Sequence, residues 1–329
     1  MSMSRLTRRR FMAATASAIA LPALRTHAWA QGWPTKPIRL IVPYPVGGQT
    51  DLIARTFGDF LSRNIGQPVV VENKGGGGGI LGVTEVKRAA PDGYTLLCTI
   101  SSSLIQNRVT VKDLPYAPEQ DFIYLTTISG LGGPLVAAEK TGATNLKEFV
   151  DYAKKLDKLN FGGYGVGSTP HLLIETLSRQ YGLKVEMVHY RGEAPMWADV
   201  ASQTLDAAAG SYAAALPVLQ SGRGKLIGVT GDRLPPHPDV ATLVEQGARG
   251  KYLGVRAFTA FAVPTGTPPE IVKKFSDLLY QAREDAKVKQ VLATYFLQSP
   301  STFDAAQTRF KNDTQVLLEL LHELGVKPE

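Results

Sequence analysis

Short apolar runs alternate with amphipathic stretches from residue 32 onward. IRLIV (38–42) is an apolar run closed by Pro43, the mark of a buried strand. After a Gly47-Gly48 turn, DLIARTFGDFLSRNIG sets Ile53, Phe57, Phe60, Leu61 and Ile65 on one helical face, and Gly66 stops it. PVVVEN (68–73) predicts the next strand; five glycines (75–79) then lead into a helix over ILGVTEVKRAA. Pro91-Asp92-Gly93 is a turn, and YTLLCTI (94–100) reads as a third strand. This is the βαβαβ rhythm of a parallel sheet with helices on its faces.

A second cycle follows. LVAAE (135–139) leads to a helix near Leu146–Leu156, capped by Thr144 or Asn145. LNFGGYG (159–165) leads to a helix starting near Ser168–Thr169. KVEMVHY (184–190), a helix near 194–202, LDAAAG and KLIGVTG continue the pattern. FTAFAVP (258–264) predicts a strand returning to the first unit, and two amphipathic helices near 268–283 and 303–325 close the chain. No short period repeats, so a solenoid is not expected. The pattern predicts an α/β protein of two α/β domains joined by two crossing segments around a central cleft. Ligands of such sheets sit beyond the carboxyl ends of the strands. That rule selects the loops after IRLIV, YTLLCTI and LNFGGYG, and the one near Gly210-Ser211.

The 329 residues are 44% hydrophobic, enough for two domains, and the 32 glycines and 21 prolines are scattered as turn formers rather than gathered in a disordered tract. The net charge of +7 changes meaning once its location is seen. Residues 1–31 carry Arg5, Arg8, Arg9, Arg10 and Arg25 with no acid, leaving 31 basic and 29 acidic residues elsewhere. A basic, nucleic-acid-binding surface is therefore not expected. The same segment reads as a targeting signal over 1–30: arginines, the apolar FMAATASAIALPAL, then Ala28-Trp29-Ala30 before Gln31. The apolar stretch is too short to span a bilayer stably. Thr7-Arg8-Arg9-Arg10-Phe11-Met12 resembles the twin-arginine export signature, although general secretory signals also carry arginine pairs. No cysteine follows the cleavage site, so no lipid anchor is expected. Cys98, the single cysteine, lies in an apolar run and reads as a core residue rather than a nucleophile.

Three loops could carry chemistry. Val42 to Asp51 joins a strand end to a helix start, where free backbone N–H groups and the helix dipole favour an anion and glycines allow close approach. It reads equally well as a plain turn capped by Thr50 or Asp51. Phe161 to His171 repeats that logic, with Ser168 and Thr169 at a helix start and Pro170 in its first turn. Ser168 and Thr169 could equally be N-caps, and His171 reads as a structural hydrogen-bonding residue. Lys74 to Gly82 contains G-x-G-x-x-G, but a run of glycines meets that spacing by default and no acidic residue stands where a ribose would need one. There is no P-loop, H-E-x-x-H, G-x-S-x-G or Cys–His motif, so neither a cofactor nor a metal is expected, and no catalytic residue is nominated. Positions 43–50 and 163–170 contain no lysine or arginine, so a bound anion must be balanced by N–H groups, hydroxyls and dipoles. Arg55 and Arg191 are the candidates for pairing with a second acid group.

Together the stretches PIRLIVPYPVGGQTD, GQPVVVENKGGGGGILG, RAAPDGYTLL, LPYAPEQDF, GVGSTPH, HYRGEAPMWADV, GRGKLIGVTGDR and VPTGTPPEIV resemble, in family order, the Bug-type extracytoplasmic receptors of tripartite tricarboxylate transporters. The resemblance implies a type II periplasmic-binding-protein fold, with domain 1 over 32–130 and 255–329 and domain 2 over 131–254. It implies that Tyr44, Val46, Gly47, Gly48, Gly167, Ser168 and Thr169 hold a ligand carboxylate, with Asp51 and His171 as structural neighbours. Ser101, Ser102 and Ser211 are added from cleft geometry. Val46, Gly75-Gly76-Gly77 and Asn107-Arg108 depart from the family pattern near the pocket, and 235–258 matches it poorly, so substrate identity is not inherited. The implied protein is a monomeric periplasmic binder of a small organic acid, not an enzyme, serving membrane transporter subunits. A co-sensor presenting the ligand to a sensor kinase is the alternative, and an exported enzyme on the same fold a more distant one.

Overall fold

The computed structural model describes residues 32–254 and 256–326; the export signal expected over 1–30 lies outside them. Strands β1 (Ile38–Val42), β2 (Val69–Asn73), β3 (Thr95–Ile100), β4 (Phe122–Ser129) and β10 (Phe258–Pro264) form one sheet in the order β2-β1-β3-β10-β4. Strands β5 (Pro134–Ala138), β6 (Leu159–Gly163), β7 (Val185–His189), β8 (Ala207–Ala209) and β9 (Gly224–Val229) form the second, in the order β7-β6-β8-β5-β9. The two orders are the same pattern. Each sheet has a parallel trio and, as its fourth strand, one that has just crossed from the other unit: β10 in the first, β5 in the second. Both run antiparallel to their neighbours, so the sheets are mixed rather than purely parallel.

Each sheet is buried on both faces, which is why its strands read as continuous apolar runs. In β1 the alternation of a strand sends Ile38, Leu40 and Val42 into one core and Ile41 into another. The first face is covered by helices α1 (Gln49–Ile65), α9 (Pro269–Gln281) and α10 (Ala286–Thr294), which contribute Phe57, Phe275 and Val288. The other is covered by α2 (Ile80–Lys87) and the start of α11 (Phe303–Glu323). Between β3 and β4 lie a π-helical turn (Ser102–Gln106) and the short helices α3 (Asn107–Thr110) and α4 (Pro118–Asp121). The second sheet is covered by α5 (Leu146–Ala153) and α6 (Thr169–Tyr181) on one face, and by α7 (Glu193–Ala201) and α8 (Tyr212–Gln220) on the other.

The chain crosses between units at 130–133 and again between Gly254 and Phe258, and the first crossing lies against the segment that leaves β9. Thr230 N–H donates to Gly133 O at 2.9 Å, and Gly133 N–H to Thr230 Oγ1 at 2.9 Å. Residues 243–253 remain in the second core through Leu243, Ala248, Tyr252 and Leu253. The expected division assigned all of 255–329 to the first unit, but the end of α11 departs from it. Ala306 and Phe310 pack on the first unit, whereas Leu320 and Leu321 are buried in the second core. A 21-residue helix reaches ~31 Å, far enough to do both. Among the described residues no helix is long and apolar enough to cross a membrane, and no cluster of three or more His, Cys, Asp or Glu could hold a metal.

Candidate functional site

A cavity of about 100 Å³ lies between the units, several times the space one ordered water needs. The first unit lines it with Tyr44, Gly48, Gln49, Ser101 and Ser102, and the second with Tyr164, Thr169, Glu193 and Ser211. Gly130 and Gly132 come from the first crossing, Thr230 from the end of β9, and Arg256, Phe258 and Thr259 from the segment entering β10. The units meet across its rim. A Cβ on Gly192 would lie 2.7 Å from Pro45 Cδ, and one on Gly167 would lie 2.6 Å from Thr110 Cγ2.

Four helices begin at this cavity. Their N-caps are Gly48 for α1, Ser168 for α6, Gly192 for α7 and Ser211 for α8. First-turn N–H groups lack intrahelical acceptors, and each terminus carries about half a positive charge. Two cavity-wall hydroxyls, Ser101 Oγ and Thr259 Oγ1, are buried with no partner among the protein atoms, although both residues are only 1% exposed. Buried polar groups are normally paired, so both hydroxyls are available to a ligand in the cavity.

The loop before α1 is held from behind. Asp51 Oδ2 accepts from the Gly47 N–H and Arg55 Nε, both at 3.1 Å, and Oδ1 accepts from Asn73 Nδ2 at 3.0 Å. Burial favours protonation of Asp51, but these donors outweigh it and hold the carboxyl below its usual range. Asp51 therefore fixes the loop, while Gly48, not Thr50 or Asp51, is the cap. Tyr44 Oη contacts Ser103 Oγ, and Ser103 Oγ donates to Gly78 O at 2.7 Å. The glycine run thus supports the wall from outside. Gly76 to Gly79 all have positive φ, and a Cβ on Gly79 would lie 2.4 Å from Ser103 Oγ. None of these glycines faces the cavity, which accounts for their spacing without a nucleotide.

Of the residues expected at the ligand, Tyr44, Gly48, Thr169, Ser101, Ser102 and Ser211 line the cavity; Val46, Gly47, Gly167 and Ser168 do not. Val46 is 60% exposed. Gly47 turns its N–H to Asp51, and the Gly167 N–H donates to His171 Nδ1 at 2.7 Å. His171 is thereby a loop anchor, and its Nδ1 is an acceptor. Ser168 Oγ is buried and caps nothing. Arg55 is tied to Asp51 and Asn73, and Arg191 is exposed and off the cavity. The cavity arginine is Arg256, already paired with Asp232 at 2.5 Å. Cys98 is fully buried, and burial pushes its thiol well up, so it is no nucleophile.

The largest omission is Glu193. The Ser211 N–H donates to its Oε1 at 2.7 Å and Ser211 Oγ to its Oε2 at 2.5 Å. Burial pushes its carboxyl above the usual range, against the pull of these two donors and, more weakly, of the Gln49 backbone N–H in the opposite unit. Its position in HYRGEAPM, just after Gly192 before an apolar run, marked a helix start and was the available signal.

Ser101→Ala is expected to weaken ligand binding by about 1.5–3 kcal/mol, the worth of one hydrogen bond to a charged group. Ser168→Ala, whose hydroxyl is off the cavity, is expected to change binding by less than about 0.5 kcal/mol. Calorimetry of the two variants side by side checks this, and equal losses would put the ligand at the α6 cap instead.

The model of the tripartite tricarboxylate transporter family receptor matches residues 53–318. A UPF0065 protein of Bordetella pertussis is 34% identical over 258 residues, covering 78% of this chain and 79% of that protein. BugT of the same organism is 30% identical, with 86% and 87% covered. Among solved structures, the periplasmic binding protein BugD superposes with a TM-score of 0.85 at 28% identity, covering 90% of this chain and 100% of that one. R. palustris Rpa4515 with adipate gives 0.85 at 26% identity (91% and 100% covered), and MatC of Rhodopseudomonas palustris with bound malate gives 0.77 at 26% (88% and 98%). Two α/β units of matching topology, a cavity between them and a family match over most of the chain agree: this chain belongs to the tripartite tricarboxylate transporter receptor family, whose members are solute-binding receptors of the Bug type.

Proposed function

We propose that the protein captures a small organic carboxylate in the periplasm, between its two units, and delivers it to a tripartite tricarboxylate-type transporter. The observation that carries this reading is the convergence of four helix N-termini on one cavity with two unpartnered buried hydroxyls. Hydrogen bonds to a charged group contribute about 1.5–3 kcal/mol each. Three or four of them support a Kd near ~1 μM, about −8 kcal/mol, after the costs of association. The adipate-bound and malate-bound relatives show that this architecture accepts carboxylates in other receptors. The arginine pair and Ala28-Trp29-Ala30 support export with cleavage before Gln31. The clamp acts as a monomer and performs no chemistry on its ligand.

Mass spectrometry of small molecules released from the natively purified protein tests the reading, followed by calorimetry with the molecule found. An unaltered carboxylate that rebinds near micromolar Kd is expected. A neutral or cationic ligand, or conversion of the ligand on incubation, would overturn the assignment.

A further inference from the structure

Glu193 places a carboxylate of the protein itself where a ligand's carboxylate would be expected. It belongs to the second unit, yet the Gln49 backbone N–H at the start of α1 in the first favours its charged form. With Ser211 N–H and Oγ as its hydrogen-bond donors, two of the roughly four lone-pair positions of a carboxylate are filled. Of the acidic side chains among the described residues, only Glu193 lines the cavity.

The charge balance of the site follows. Four helix N-termini of about half a charge each supply roughly two positive charges. Arg256 adds little, because Asp232 already neutralises it. Glu193 offsets about one of these charges, leaving room for about one more negative charge. A ligand with two carboxylates would exceed that and set its second group in the field of Glu193. Like charges brought together in a desolvated cleft oppose binding strongly. A hydrogen-bond donor at the same place would instead fill an open acceptor position of Glu193.

We propose that Glu193 is a built-in second acid that makes this receptor select a monocarboxylate whose other end carries an N–H donor, as a carboxamide does, over a dicarboxylate. This deepens the carboxylate reading above and rests on it.

Matched pairs of nearly equal shape test it: succinate with succinamate, glutarate with its half-amide, and adipate with its half-amide, each titrated calorimetrically into the full mature protein and into Glu193→Gln. At least one half-amide is expected to bind the parent protein about tenfold or more tighter than its dicarboxylate. In Glu193→Gln that preference is expected to shrink about tenfold or reverse, because a neutral amide replaces the charge. A dicarboxylate that binds the parent as tightly as its half-amide overturns the proposal and leaves the carboxylate reading standing. So does an unchanged ratio in a Glu193→Gln protein that melts like the parent. If no member of any pair binds either protein while the released native ligand is not a carboxylate, both readings fail together. If the native ligand is a carboxylate lacking a donor, only this one fails. The comparison within the parent protein decides the matter even if the variant does not fold.

Discussion

Gly48→Val is expected to weaken ligand binding by about a hundredfold or more while leaving the melting temperature within about 2 °C of the parent. Both halves follow from one position. Gly48 caps α1 and lines the cavity, and a Cβ built on it meets nothing within 4 Å. Its backbone, at φ −83° and ψ 169°, lies in the extended region that a β-branched residue favours. Valine therefore fits the folded chain without strain. Its side chain occupies ligand space instead and separates the ligand from the first-turn N–H groups of α1. In a cavity of about 100 Å³ three added carbons cannot be accommodated beside a ligand that fills it. Calorimetry with the ligand recovered from the native protein, beside thermal unfolding of the same samples, makes the check. Parent-like binding would mean that the ligand lies away from the α1 terminus; a collapsed melting temperature would mean that Gly48 is needed for folding.

That Gly48 could be named from sequence shows where the chain was readable. Apolar runs of five to seven residues between turn formers placed β1 at 38–42 and β10 at 258–264 with the bounds they have in the structure. The return of β10 to the first sheet was also legible. Besides the four-residue helices α3 and α4, three elements were missed, each for a physical reason. In α8, YAAALPVLQ is apolar nearly all round, so it shows no stripe, and Pro217 speaks against a helix interior. In α10, AKVKQVLAT is short, and only Val288 and Leu292 are buried. In β4, FIYLTTIS follows the charged four-residue α4 with no turn former directly before it, and its two threonines and final serine dilute the apolar run.

At the site, strand ends and helix starts were visible because local chemistry makes them. The partition of each loop into cavity and back wall was not. Gly47 and Gly48 are adjacent and chemically identical, yet one is turned to Asp51 and the other to the cavity. Glu193 and Arg256 were passed over because their meaning arises from partners 18 and 24 residues away, Ser211 and Asp232, and from the opposite unit. A lone glutamate at a helix start most often serves as a dipole partner on the surface. Only the folded arrangement turns it toward the opposite unit.

The second large effect is expected at the first crossing, where Gly132→Ala should destabilise the protein by about 3 kcal/mol. For a chain of this size that lowers the melting temperature by about 5 °C. Ligand loops could move apart to admit a side chain, but here the obstacle is backbone. A Cβ on Gly132 would lie 1.9 Å from Thr230 O and 3.1 Å from Asp232 O. The crossing can admit it only by separating from the segment that leaves β9. That breaks the Thr230 N–H bond to Gly133 O, the Gly133 N–H bond to Thr230 Oγ1, and the 3.3 Å bond from Asp232 N–H to Leu131 O. Each lost bond at a half-buried group carries a desolvation cost. The crossings also set how the units meet: a shift at Gly132 moves Gly130, Gly133 and Thr230, all of which line the cavity. Gly132→Ala should therefore weaken ligand binding as well, although its own methyl group points at Thr230. Gly48→Ala is the matched control, a methyl group added to the same cavity with open space around it. Thermal unfolding of both variants without ligand separates the two kinds of glycine. If Gly132→Ala melts with the parent, the first crossing is free to part from the segment leaving β9, and the cavity owes its shape to the contacts at its rim, from Pro45 to Gly192 and from Thr110 to Gly167.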